Sequence, residues 1–87
     1  MKLKDGFLLR KVAGKNIVVS VGANMEFSGM LTLNETGTFY WEMLKEGTSK
    51  EEMLVKVLKE YDVTQDEASK DLDEFLSKLS EAKILEE

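Results

Sequence analysis

Leu31-Thr32-Leu33-Asn34-Glu35-Thr36-Gly37-Thr38-Phe39-Tyr40-Trp41-Glu42-Met43-Leu44 is the stretch in which the pattern of the chain changes. Up to Leu33 the apolar residues alternate, as in a strand with one buried face. From Asn34 onward they recur at helical spacing. Asn34 is a good N-cap, and Glu35 sits favourably in the positive first turn of a helix. Tyr40, Trp41 and Leu44 fall on one face of that helix. Gly47 supplies the residue with positive φ that commonly ends one.

Working back from this junction, the chain reads as strands. Met25, Phe27, Leu31 and Leu33 alternate, and so do Ile17, Val19 and Val21. Phe7 and Leu9 share one parity, Leu8 and Val12 the other. Three strands are expected, over about 6–12, 16–21 and 26–33. Ala13-Gly14-Lys15-Asn16 is a hairpin-type turn in which Gly14 can take positive φ. Gly22-Ala23-Asn24 begins the second connection. Gly29 within a strand suggests a bulge or a close backbone approach.

Working forward, Ser49-Lys50-Glu51-Glu52 and Thr64-Gln65-Asp66-Glu67 are capping boxes. The first opens a helix with the apolar stripe Met53, Leu54, Val57, Leu58 and Tyr61. The second opens a helix with Ala68, Leu72, Phe75, Leu76 and Leu79 turned inward. Helices are expected over 35–46, 50–61 and 65–81. The apolar pair Ile84-Leu85 folds back on the core. The whole, residues 1–87, reads as one α+β domain of winged-helix-like type, a three-stranded antiparallel N-terminal sheet packed on three helices. A three-stranded meander cannot stand alone in water, so one face must lie on the helices.

Composition narrows the chemistry. The 87 residues include no His and no Cys. That excludes the His-dependent nucleophile systems, disulfides and the usual zinc, haem and iron–sulfur ligand sets. Acid–base catalysis by carboxylates needs a pair held in a partly dry cleft, and a core this small rarely leaves one. A binding role without catalysis, cofactor or metal is expected. With no sorting signal, no apolar run long enough to span a membrane and no cysteine, the cytoplasm is the expected compartment. The net charge of −5 is uneven. Residues 1–33 carry five basic and two acidic residues, whereas residues 34–87 carry seven basic and fifteen acidic ones. This is not the basic footprint of a nucleic-acid binder.

The segment Leu33-Asn34-Glu35-Thr36-Gly37, followed by Trp41 and Leu44, resembles the L-N-x-T-[GA]-x-x-[IL]-W-x-L-[LI] signature of the PqqD-like family, named for pyrroloquinoline quinone synthesis protein D. Gly47, the Ser-started second helix and the acidic third helix fit as well, so the resemblance covers roughly residues 6–86. Tyr40 stands where an aliphatic residue is usual, and Met43 replaces a usual Leu. The resemblance implies a recognition element for ribosomally made, post-translationally modified peptides. Such a domain binds the leader segment of a precursor peptide and presents it to a modifying enzyme, often a radical S-adenosylmethionine enzyme. The leader adds as a strand on the third strand, beside the third helix. This chain would be a stand-alone member, whether or not it serves pyrroloquinoline quinone synthesis.

The residues support such a site independently. In a meander the third strand has one free edge, and its unpaired N–H and C=O groups can accept a foreign strand. The expected edge is Glu26, Phe27, Ser28, Gly29, Met30, Leu31 and Thr32. Phe27, Leu31 and Leu33 would also serve the core, with Met30 on the opposite face. On the third helix, Phe75 and Leu79 are the expected groove wall, with Leu76 in the core, and Lys78 with Asp71 or Glu74 forms the rim. Trp41 anchors the core, and Gly37 permits close helix–sheet packing. The acidic residues Asp66, Glu67, Asp71, Asp73 and Glu74 make a solvated helix face.

Two other functions compete. A winged helix can place its third helix in a DNA groove. Here residues 65–81 carry Lys70 and Lys78 against six carboxylates, which repel phosphate. Alternatively, two copies pair their third-strand edges into a homodimer. The expectation is a monomer or weak homodimer that binds a precursor peptide and a modifying enzyme, and neither nucleic acid nor membrane.

Overall fold

A computed structural model of the chain describes residues 1–20 and 31–86. Along the sequence run β1 (Lys2–Leu3), β2 (Phe7–Val12), β3 (Lys15–Ser20), β4 (Leu31–Leu33), α1 (Glu35–Glu46), α2 (Lys50–Glu60), α3 (Gln65–Glu81) and β5 (Leu85–Glu86). The fold is α+β: β2, β3 and β4 form an antiparallel sheet in that order, packed with three helices. The winged-helix likeness goes no further than this small sheet beside a helical body. Glu26 to Met30, the first part of the expected third strand, lie outside the described residues, as do Val21, the Gly22-Ala23-Asn24 connection and the bulge expected at Gly29.

The β2–β3 turn is tight because Val12 pairs directly with Lys15. Only Ala13 and Gly14 remain to make it, and both have positive φ, 52° and 79°. Positive φ at both central residues matches the right-handed twist of the two strands. The turn sets the register, and the register decides which side chains face the helices. Leu9, Val18 and Leu31 lie opposite one another, and Phe7 pairs with Ser20. Phe7 and Val18 are buried, as is Leu33.

The alternating set Ile17 and Val19 therefore lies on the other face, with Leu8, Arg10, Val12 and Thr32. Val18, between them, is fully buried. Apolar residues occupy both faces of Ile17-Val18-Val19, so alternation within β3 does not reveal which face is inward. Leu8 and Val12 are large apolar residues left exposed on the outer face.

Each helix begins at a side-chain cap. The Asn34 side chain accepts from the Gly37 N–H at 2.8 Å, Ser49 from Glu52 at 3.2 Å and Thr64 from Glu67 at 3.2 Å. These contacts satisfy backbone donors that have no partner within the helix. Gly47 follows α1 with φ 95° and ψ 129°. The positive φ is as expected, but the conformation lies outside the left-handed helical region.

The helices enclose one core. Tyr40, Trp41, Met43 and Leu44 of α1, Met53 and Val57 of α2, and Ala68, Leu72, Phe75 and Leu79 of α3 are buried together with Ile84 and Leu85. On α3 the buried residues recur at intervals of three and four, and Leu76 flanks that stripe, partly buried. The expected arrangement is thus reversed at one point. Leu79 is a core residue, and Leu76 lies nearer the boundary.

The chain ends meet in a way the alternation pattern does not announce. β1 pairs antiparallel with β5, with Leu3 opposite Leu85. The Lys4 N–H donates to the Ile84 carbonyl at 2.8 Å, and the Thr48 N–H to the Met1 carbonyl at 2.9 Å. Ile84-Leu85 folds back on the core as expected, and the closing strand joins a separate two-stranded sheet rather than β4. No helix among the described residues is long and apolar enough to cross a membrane.

Candidate functional site

A groove of about 290 Å³ lies between β4 and α3, with α1 beneath it. Leu31, Thr32 and Leu33 of β4 form one side. Asp71, Phe75 and Lys78 of α3 form the other, and Asn34, Gly37 and Tyr40 line it from α1 and its cap. Among the described residues, β4 pairs with β3 on one edge and with no strand on the other. The closing segment of the chain, paired with β1, leaves this edge alone.

The floor is built from α1 and α3. Gly37 faces Leu33 and Phe75 closely enough that a Cβ on it would lie 3.4 Å from Leu33 Cβ and from Phe75 Cε1, and 3.2 Å from Asn34 Oδ1. A larger residue would push into the groove or displace the cap. One turn further along α1, the Tyr40 ring meets the edge of Phe75 with centroids 5.1 Å apart. The Tyr40 hydroxyl donates to Asp71 Oδ2 at 2.7 Å. A buried tyrosine needs such a partner for its polar end. Burial first, then the hydrogen bond and the negative charge of Asp71, push the Tyr40 hydroxyl well above the usual tyrosine range. It therefore stays a donor at all ordinary pH.

Five of the expected site residues, Leu31, Thr32, Asp71, Phe75 and Lys78, come together in this groove. Glu26, Phe27, Ser28, Gly29 and Met30 lie outside the described residues. Leu79 does not line the groove, because it is fully buried in the core. Four lining residues, Leu33, Asn34, Gly37 and Tyr40, were not among those expected. Asn34 and Gly37 were legible as a cap and a close-packing glycine, but only the β4–α1 turn brings them to the groove. Tyr40 carried a signal of its own, an aromatic hydroxyl at a position where an aliphatic residue is usual.

The groove is apolar within and charged at its rim. Asp71 and Lys78 are both exposed. The remaining carboxylates of α3 project elsewhere, and Asp73 pairs with Lys50 at the start of α2. Among the described residues, no group of three or more carboxylates is placed to hold a metal ion.

Residues 17–85 match the family model described as coenzyme PQQ synthesis protein D (PqqD). The chain belongs to the PqqD family. No curated protein matches it significantly. Two solved structures of similar fold are TbiB1 in complex with the TbiA(beta) leader peptide and lasso peptide synthetase B1 complexed with the leader peptide. The first is 24% identical with a TM-score of 0.79, over 99% of this chain and 95% of that one. The second is 17% identical with a TM-score of 0.75, over 95% of this chain and 93% of that one. At these identities the likeness establishes the fold. The PqqD match begins at Ile17, within β3, so it spans the groove-forming elements β4, α1 and α3.

Proposed function

We propose that this PqqD-family chain is a non-catalytic peptide chaperone, acting in the cytoplasm as a single domain. It binds the leader segment of a ribosomally made precursor peptide and presents it to a modifying enzyme. The leader adds as a strand to the outer edge of β4 and lays two or three apolar side chains into the groove against Phe75 and Tyr40. Main-chain pairing contributes affinity with little demand on sequence, and the groove contributes selection.

The observation that carries this reading is an apolar groove beside a strand edge to which no described strand is paired. The two similar structures, each a complex with a leader peptide, support it. Ordering a disordered peptide consumes part of the contact energy, so affinity on the order of micromolar is expected. The modifying enzyme in this proposal is a radical S-adenosylmethionine enzyme, the kind that the family resemblance implies. The likeness to a lasso peptide synthetase B1 protein adds lasso peptide synthesis as an alternative setting.

An NMR titration with candidate leader peptides tests the site. Amide shifts are expected at residues 26–33 and along the 71–78 side of α3. Shifts centred on β2 instead would overturn it. Salt-dependent binding to duplex DNA would favour the nucleic-acid reading, which the acidic α3 opposes. A stable dimer that no peptide opens would favour pairing between copies.

A further inference from the structure

The groove is electrically directional, and its direction is built from side chains on α1 and α3. The contacts between the two helices set the order. Gly37 of α1 lies against Phe75 of α3, and Tyr40, one turn further on, reaches Asp71, one turn earlier on α3. The helices thus run in opposite senses past one another. Lys78 must then lie on the other side of Phe75, towards Asn34 and the β4–α1 turn. All of these residues line the same groove. One end holds a carboxylate, the middle is apolar and the other end holds an ammonium group.

The carboxylate is not a loosely solvated one. Tyr40 is almost wholly buried, and its hydroxyl holds Asp71 Oδ2 at 2.7 Å. This contact occupies one oxygen and leaves the other for a donor arriving in the groove. Among the described residues, neither Asp71 nor Lys78 takes part in an ion pair, unlike Asp73, which is held by Lys50. Both rim charges are therefore available to a ligand.

We propose that Asp71, positioned by Tyr40, and Lys78 together select peptides with a basic and an acidic residue in one fixed order, and so seat the peptide in one direction. This rests on the strand-addition reading above. Seven residues of α3 separate the two charges, an axial rise of about 10 Å. An extended peptide advances about 3.4 Å per residue, and its side chains alternate between faces. The two charged peptide residues are therefore two or four positions apart, and at a spacing of four the residue midway between them enters beside Phe75. The basic one meets Asp71 and the acidic one meets Lys78. Main-chain pairing to a strand edge does not by itself fix peptide direction, because parallel and antiparallel pairing are both possible. The two charges remove that ambiguity.

The test is selection of displayed random 12-residue peptides on the full chain, followed by anisotropy titration of the enriched sequences. Enriched peptides are expected to carry Lys or Arg two or four positions from Asp or Glu, in one order. Inverting that order should weaken binding about two- to fivefold per charge, the range of exposed ion pairs. The double variant Asp71→Lys with Lys78→Glu should enrich the opposite order. Tyr40→Phe, which keeps the ring and removes the hydroxyl, should relax the demand for the basic residue and leave the demand for the acidic one. A structural role alone would not move that ratio. Enrichment without charge order, or the same order on the doubly reversed chain, would overturn the proposal and leave leader binding standing. If no peptide is enriched, both fall.

Discussion

The hydroxyl of Tyr40 donates a 2.7 Å hydrogen bond to Asp71 Oδ2, joining the middle of α1 to α3 across the floor of the groove. The two residues are 31 positions apart, and the contact aligns the groove-bearing helices with one another. The tyrosine ring contributes to the core while its hydroxyl orients a carboxylate at the surface. Core packing and the proposed peptide recognition thus meet in one side chain.

Removing that hydroxyl should cost little stability. Tyr40→Phe keeps the ring against Phe75 and leaves Asp71 exposed to water, so no buried group loses its partner. A loss of about 0.5–1.5 kcal/mol is expected, the usual net worth of one hydrogen bond. Urea unfolding measures it, and a loss above 3 kcal/mol would mean that the contact holds the helices together.

Stability should fall in alkali. The Tyr40 hydroxyl titrates above its ordinary value of 10.0 in the folded chain. Its contribution is complete below pH 10 and is lost as pH rises from 10 towards the folded value, because only the unfolded chain releases the proton there. Unfolding free energies measured between pH 9 and 11 should show this decline, and Tyr40→Phe should reduce the slope. Some slope should remain from Tyr61, which burial, Glu35 and Glu60 also push upward.

Gly37→Ala separates folding from binding. Alanine is favoured over glycine inside a helix by up to about 1 kcal/mol. The new methyl would crowd Asn34 Oδ1, Leu33 and Phe75 at 3.2–3.4 Å. The two effects oppose, so stability should change by less than about 1 kcal/mol. Affinity for a peptide selected on the wild-type chain should fall, because the methyl enters the groove. Unchanged affinity would show that the peptide does not approach this part of the floor.

Adjacent residues on α3 should behave oppositely. Leu79→Ala opens a cavity in the core at a fully buried position and should cost about 2–5 kcal/mol. Lys78→Glu alters an exposed side chain and should change stability by no more than about 0.5 kcal/mol. It should nonetheless weaken an acidic leader. Thermal melts paired with peptide titration check both.

What could be read along the chain is what neighbouring residues decide. The three caps, the helix bounds and the hairpin at Gly14 depend on contacts within a few positions, although Lys15 and Asn16, expected in the turn, belong to β3. The strand-to-helix change at Asn34 is equally local, and it places β4 beside α1 before any packing is considered. The family resemblance follows from the same short segment.

Other features needed the folded chain. Ile17-Val18-Val19 is apolar on both faces, so only the register with β2 and β4 buries Val18 and turns Ile17 outward. The two-residue strands β1 and β5 are too short to show a period, and they become strands because the chain ends are brought together. The exchange of Leu76 for Leu79 in the core depends on which 100° arc of α3 meets α1 and α2. Tyr40 and Asp71, 31 residues apart, meet because of that same rotation. Local order was set by hydrogen bonds between near neighbours. The groove was set by how α1 and α3 pack, a long-range choice made by side-chain volume that no single stretch of the chain contains.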